Sequence, residues 1–271
     1  MRAKVLMLIT LSTSVIFTFA QQGSIGNEEL KELRKSYDKN DPATRAITNA
    51  LTHNSLKDLV VNLENEGKID HLFKYKVKVS GITDQKSSGR CWAFASLNTL
   101  RPAVIEKLNV SSFEFSLNYL YFWDILEKSN LFLENVIATI DKPWDDRYVE
   151  WYFKSPIDDG GVWNLYVNLV QKYGCVPKSV MPETNSSNST RQLTSIIKTK
   201  LREQGYNLRE EFGGKKSDRK NIEKQKLTML SDIYRILSLH LGEPPAEFTW
   251  RYETKDGEIK SFEKYTPLQF M

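Results

Sequence analysis

The stretch LNYLYFWDILEKSN, residues 117–130, constrains this chain more than any other. Ser116 before it has the side chain of a helix N-cap, and neither glycine nor proline interrupts the run. Wound as a helix, it puts Leu117, Tyr119, Leu120, Phe122, Trp123, Ile125 and Leu126 on almost every side. A helix that is apolar all round is not a surface helix, so other elements must pack on several of its faces. With 271 residues the chain can supply that cover, as one large domain or two small ones.

The candidate covering elements lie on both sides of it. From Arg191 to Leu241 the apolar spacing predicts two long amphipathic helices. Leu193, Ile196, Ile197 and Leu201 mark the first, and Leu227, Leu230, Ile233, Tyr234, Leu237 and Leu241 the second. Gly242 and Pro244-Pro245 end the pair, and FTWRYETKDGEIKSF then reads as a hairpin about Asp256-Gly257. Upstream, Ala46–Leu63 has helical spacing, and FKYKVKVSG (Phe73–Gly81) alternates as a half-exposed strand. Cys91–Leu108 carries a helix face of Phe94, Leu97, Val104, Ile105 and Leu108, which Pro102 is expected to kink or cut short. DDGGVW (Asp158–Trp163) is a glycine turn entering a helix, Trp163–Tyr173, that stops at Gly174. Trp163 is expected in the core. Residues 21–45 read as a polar lead-in with a short helix, and 176–190 as a loop. The class is α+β, with a helical insertion between two parts of a larger domain.

Residues 1–20 have a short basic start, an apolar run of Val5–Ala20, and small residues at Thr18 and Ala20. This is the layout of a cleaved secretory signal peptide, and the run is short of the ~20 residues a membrane span needs. The expected location is therefore exported, periplasmic or secreted, with no membrane association after cleavage; an unprocessed chain would be cytoplasmic. Asn109, Asn185 and Asn188 head N-x-S/T sequons that matter only where the host glycosylates exported chains. The net charge of +4 would fall to +2 with loss of Arg2 and Lys4, too little to argue for a polyanionic partner. The basic stretch Lys215–Lys226 has no interleaved aromatics and reads as a solvated face, so no nucleic acid is expected.

The two cysteines, Cys91 and Cys175, could pair as a disulfide or stay free. Cys175 follows a helix end in KYGCVP and reads as a buried small apolar residue. Cys91 opens a helix, where unpaired N–H groups and the positive dipole end favour a thiolate. Gly89 leaves its approach open, and Gln85, six residues upstream, brings an amide donor on the same loop. On these residues alone Cys91 is either a nucleophile or an inert thiol.

DQKSSGRCWAFASLN, however, resembles the nucleophile segment of papain-like cysteine peptidases. It departs from the common papain form, because Arg90 stands where a small residue usually precedes the cysteine; QKSSGRCW is the form of the bleomycin hydrolase/aminopeptidase C branch. SLNYLYFWDILEKSN, DDGGVWN, KYGCVPKSVMPET, LGEPP and YTPLQF continue the likeness in order, over about residues 75–271. The resemblance implies an incomplete papain-like fold: signal 1–20, left half-domain 21–185, hook-like helical insertion 186–247, and the start of the right half-domain at 248–271. It implies an aminopeptidase acting on peptides through a thioester. Cys91 would be the nucleophile, Gln85 an oxyanion donor, and Gly160 and Gly161 the strip along which substrate backbone runs. It implies neither cofactor nor metal, and a hexamer assembled through the hook.

Such chemistry also needs a histidine base and an orienting Asn. His240 follows Cys91 by 149 residues, within the papain-like spacing of about 130–150. It sits, however, at the end of an amphipathic helix rather than on a strand, and His53 and His71 precede the cysteine. The expectation is an N-terminal part of a longer peptidase, with base and Asn beyond Met271. The competing expectation is a non-catalytic relative acting as a binding or assembly protein.

Overall fold

The computed structural model describes residues 24–68, 70–76, 79, 81–214 and 218–271. The proposed leader over 1–20 lies outside them, as do Val77, Lys78, Ser80 and Lys215–Ser217. The chain divides into two compact units, one ending at Tyr75 and one beginning at Lys76.

The first unit holds α1 (Asn27–Lys35), α2 (Pro42–His53) and two single turns, α3 (Leu56–Leu59) and α4 (Leu63–Glu66). Asp41 caps α2 by accepting the Thr44 N–H, with Pro42 at its first position, a sequence-coded start. The single helix expected over Ala46–Leu63 is instead broken at Asn54 and Ser55, whose backbone is extended. The strand expected over Phe73–Gly81 is absent among the described residues of that stretch.

The second unit begins its regular structure with α5 (Cys91–Leu108), followed by α6 (Leu117–Ala138), α7 (Arg147–Lys154), α8 (Trp163–Tyr173) and a short α9 (Asn185–Asn188). Then come α10 (Arg191–Phe212), α11 (Arg219–Leu241), β1 (Phe248–Glu253), β2 (Ile259–Tyr265) and α12 (Pro267–Phe270). Helix α6 is enclosed on several faces, as its sequence demands. Phe122, Ile125, Phe132, Leu133 and Val136 meet Leu193, Ile197 and Leu201 of α10 and Ile233 and Leu237 of α11 in one core. Leu117 and Leu120 belong to a second core, with Ala93, Leu97 and Ile105 of α5 and Tyr166, Leu169 and Val170 of α8. At about 1.5–3 kcal/mol for each fully buried large apolar side chain, these two cores dominate the stability of the unit.

Ser116 caps α6 as expected, accepting the Tyr119 N–H at 3.0 Å while donating to Met181 O at 2.5 Å. Asn118, wholly buried, donates to Pro182 O at 2.8 Å and Leu241 O at 2.7 Å, so the start of α6 also anchors the end of α11. Pro102 does not end α5; the helix runs through it to Leu108 and closes on Asn109 in a left-handed conformation. Its missing N–H costs one helical bond, and the core contacts of Leu97 and Ile105 on either side outweigh that. Trp163 is corrected from core to surface: it is the first residue of α8 and 53% exposed. Helix α7 was not legible; only its cap, Asp146, which accepts the Tyr148 and Val149 N–H groups, announces it. β1 and β2 pair antiparallel about the Asp256-Gly257 turn, with a bulge between Phe248 and Trp250.

Candidate active site

Cys91 is the first residue of α5, its thiol free and exposed. At the start of α5 the Ala93 and Phe94 N–H groups donate to Arg90 O at 3.0 Å, whereas among the described residues those of Cys91 and Trp92 have no backbone partner and are available to an acceptor. Arg90, at the cap position, does not cap the helix with its side chain. It turns inward and is 1% exposed. There Nη1 donates to Glu183 Oε1 at 3.1 Å and Oε2 at 2.8 Å, and Nε to Ser88 Oγ at 3.0 Å. The rings of Phe94 and Tyr121 lie 5.2 and 5.6 Å from the guanidinium. Ser87 N–H donates to Asn188 O at 3.0 Å, tying the approach loop to the same 183–190 segment. The Cys91 position is thus fixed from beneath by a buried ion pair, and the sequence signal for it was Arg90 standing where a small residue usually precedes the cysteine.

Gln85 lies on that approach loop and is half-buried. Its Nε2 donates to Ser88 O at 2.9 Å, while Ser88 Oγ donates to Gln85 O at 2.6 Å. A primary amide carries two N–H groups, so one remains for a further acceptor.

The turn Asp158–Val162 is packed against the start of α5. Trp92 Nε1 donates to Asp159 O at 3.1 Å. A Cβ on Gly161 would lie 2.4 Å from the Trp92 ring, and one on Gly89 would lie 2.1 Å from the Asp159 carboxylate, so both positions require glycine. Gly160 is different: a Cβ there would meet nothing nearer than Asp158 Oδ1 at 3.8 Å. Trp92, next to Cys91 in the chain, is therefore in contact with the turn at Asp159 and Gly161. Lys128 of α6, which sequence reasoning missed, holds the turn from below. Its Nζ donates to Gly160 O at 2.7 Å, Asp158 O at 3.0 Å and Asp124 Oδ2 at 2.9 Å. Asp124 is 1% exposed, and burial raises its pKa to about 6 against the opposing pull of Lys128. The Asp124/Lys128 spacing, i and i+4 on a helix read as uniformly apolar, was the available signal.

His240 does not meet Cys91. Its Nδ1 lies 3.0 Å from Ser186 Oγ, and among the described residues no hydrogen bond joins Cys91 to a histidine. His53 lies in the first unit, bonded to Asn49 O at 3.0 Å. Cys175 is free and 4% exposed, and burial pushes its thiol up to about 12, so it is the inert apolar residue its context predicts. The disulfide alternative is removed, since both cysteines are free. Among the described residues no group of three or more His, Cys, Asp or Glu side chains is placed to hold a metal ion.

An exposed thiol opening a core helix, beside a glycine turn and followed by a helical pair and a hairpin, defines the first part of a papain-like cysteine peptidase fold. The chain belongs to the Peptidase C1-like family, whose profile matches residues 24–271. It is 37% identical over 243 residues to aminopeptidase C of Listeria monocytogenes, covering 90% of this chain and 54% of that protein. It is 37% identical over 236 residues to bleomycin hydrolase of Oryctolagus cuniculus, covering 85% of this chain and 84% of that one. The crystal structure of PepW from Lactobacillus rhamnosis aligns with a TM-score of 0.84 at 37% identity, over 92% of this chain and 56% of PepW. The chain spans about half the length of most of the curated relatives it matches.

Proposed function

We propose that this chain carries the nucleophile half of a cysteine aminopeptidase site. The observation that carries the reading is the exposed Cys91 thiol at the start of α5, with the Asp158–Val162 turn packed on Trp92 beside it. In the proposed reaction the Cys91 thiolate attacks the carbonyl carbon of the scissile bond. The resulting oxyanion accepts hydrogen bonds from the Cys91 N–H and the second Nε2–H of Gln85. Collapse expels the amine, which takes up a proton, and leaves a thioester that water hydrolyses. The peptide backbone lies along Gly160 and Gly161, where side chains would block it. The reaction also needs a general base and an orienting Asn, and His240, engaged with Ser186, is not bonded to the thiol.

The test is hydrolysis of an aminoacyl fluorogenic substrate by the 271-residue chain and by a form extended to the length of the relatives. The extended form is expected to cleave it and to lose activity on Cys91→Ala; an inactive extended form favours the binding-protein reading. Activity in the 271-residue chain would reinstate His240 as base. We further propose export through residues 1–20, for which N-terminal sequencing of exported protein should begin at Gln21. Assembly through α10 and α11 is read by sedimentation.

A further inference from the structure

Three successive carbonyls of the glycine turn are held by side chains from the core. Asp158 O and Gly160 O accept from Lys128 Nζ, and Asp159 O accepts from Trp92 Nε1. A trans peptide is planar, with its C=O and following N–H pointing in opposite directions. Holding Gly160 O inward on Lys128 therefore turns the Gly161 N–H outward. Among the described residues neither that N–H nor the Gly161 carbonyl has a backbone partner in the chain. Gly161 is thus left with one donor and one acceptor for an extended peptide, the pairing by which a strand is added.

Lys128 is suited to this. An ammonium has three N–H donors, and all three are used, on Asp158 O, Gly160 O and Asp124. Its side chain is 14% exposed, beside the Trp92 ring at 5.7 Å, and the buried Asp124 carboxylate supplies its counter-charge. The Asp158 carboxylate adds a looser contact at 3.6 Å. No other cation reaches these carbonyls among the described residues.

We propose that Lys128 is a positioning residue for peptide substrates: it sets the direction of the Gly161 backbone groups and leaves the Cys91 thiol itself untouched. The inference rests on the proposed peptide cleft. It is tested by the second-order rates at which Cys91 reacts with iodoacetamide and with an epoxysuccinyl dipeptide, in the wild-type chain, Lys128→Met and Lys128→Gln. Cys175, shielded in the fold, reports folding by staying unmodified.

The wild type is expected to prefer the peptidyl reagent. In folded Lys128→Met that preference should fall at least tenfold, with the iodoacetamide rate within twofold of wild type. Amide exchange should quicken at residues 159–161 while α5 and α8 keep their protection, and Lys128→Gln should fall between. A folded Lys128→Met that keeps the preference overturns the role of Lys128 and leaves the cleft reading intact. Equal loss with both reagents overturns it too, by placing the effect on the thiol. Exposure of Cys175 in both variants makes Lys128 a folding residue and rejects the proposal. A wild-type chain with no peptidyl preference removes the cleft reading and the proposal with it.

Discussion

The adjacent glycines of the turn should respond oppositely to the same substitution. In Gly161→Ala the new Cβ would lie 2.4, 2.5 and 2.8 Å from three ring atoms of Trp92, where ordinary contact begins near 3.4 Å. The ring or the turn must therefore retreat by about 1 Å, which is an overpacking cost of roughly 1–3 kcal/mol. That movement also breaks the Trp92 Nε1–Asp159 O bond, now 3.1 Å, adding about 1 kcal/mol. The expected total is a destabilisation of roughly 2–4 kcal/mol. In Gly160→Ala the Cβ meets nothing closer than 3.8 Å. Its stability should stay within about 0.5 kcal/mol of wild type, or rise slightly through the stiffer unfolded chain.

Function should invert that order. The open face of Gly160 is where a peptide would run, so Gly160→Ala should react with iodoacetamide as the wild type does but several-fold more slowly with an epoxysuccinyl dipeptide. Urea unfolding followed by circular dichroism gives the stabilities, and alkylation at fixed pH gives the rates. If Gly161→Ala unfolds with the wild type, Trp92 is not clamped by the turn. If Gly160→Ala keeps the full peptidyl rate, the open face is not the peptide path, and the substrate role of this glycine is refuted.

Arg90→Met should destabilise the chain by about 3–5 kcal/mol, because Glu183 would keep a half-buried charge without its bidentate partner; Arg90→Met with Glu183→Met should regain much of this in a double-mutant cycle. Asp124 has its pKa raised from 3.8 to about 6, so the folded state holds its proton more tightly than the unfolded one. Its contribution is fully present below about pH 4 and is lost as pH rises through 6, a change of roughly 3 kcal/mol. Denaturation at several pH values should show wild type losing about that much relative to Asp124→Asn across the window, and a gap that does not change with pH would contradict the burial of this carboxyl. Gly174 has φ of 74° and ψ of −159°, a region left to glycine, and a Cβ would lie 2.1 Å from Pro267 O. Gly174→Ala should therefore cost roughly 4 kcal/mol or more and sharply lower the soluble yield.

Much of the second unit was legible because its signals are local and strong. The cap at Ser116, the stops at Gly174 and Gly242, the two long helices and the Asp256-Gly257 hairpin were each read from a few neighbouring residues, and each lies where expected. The failures come where tertiary packing overrides local preference. Pro102 sits inside α5 because Leu97 and Ile105 are gripped by the core on either side. Trp163 faces solvent because the turn that delivers it to α8 is fixed by Gly161 against Trp92, so the entry angle was set far away in sequence. For the candidate site, Cys91 and Gln85 could be nominated from a contiguous motif. Lys128 was not, because its partners are carbonyls of residues 158 and 160, and backbone acceptors leave no trace in composition.

The helix that most constrained the fold also organises the site. Its apolar residues join two cores, so the axis of α6 is fixed on several sides. Asp124 and Lys128 sit one turn apart on that immobilised helix, and from there Lys128 reaches the carbonyls of the turn beside Cys91. Charged groups on the most buried helix are expensive, and burial has raised the Asp124 pKa accordingly. A support of this kind suits a turn that must present backbone groups in one direction, since a side chain locked by packing positions its partner better than a surface loop does. The same economy predicts where mutations will separate. Changes among Phe122, Ile125, Leu133 and Val136 should lower stability and peptide binding together, because they release the helix, whereas changes at Lys128, which also take the counter-charge from Asp124, should lower peptide binding while the two cores stay packed. Finding Leu133→Ala to be destabilised by the ~2–5 kcal/mol of a core truncation, yet unaltered in its preference for the peptidyl reagent while folded, would show that the turn is held independently of α6 packing.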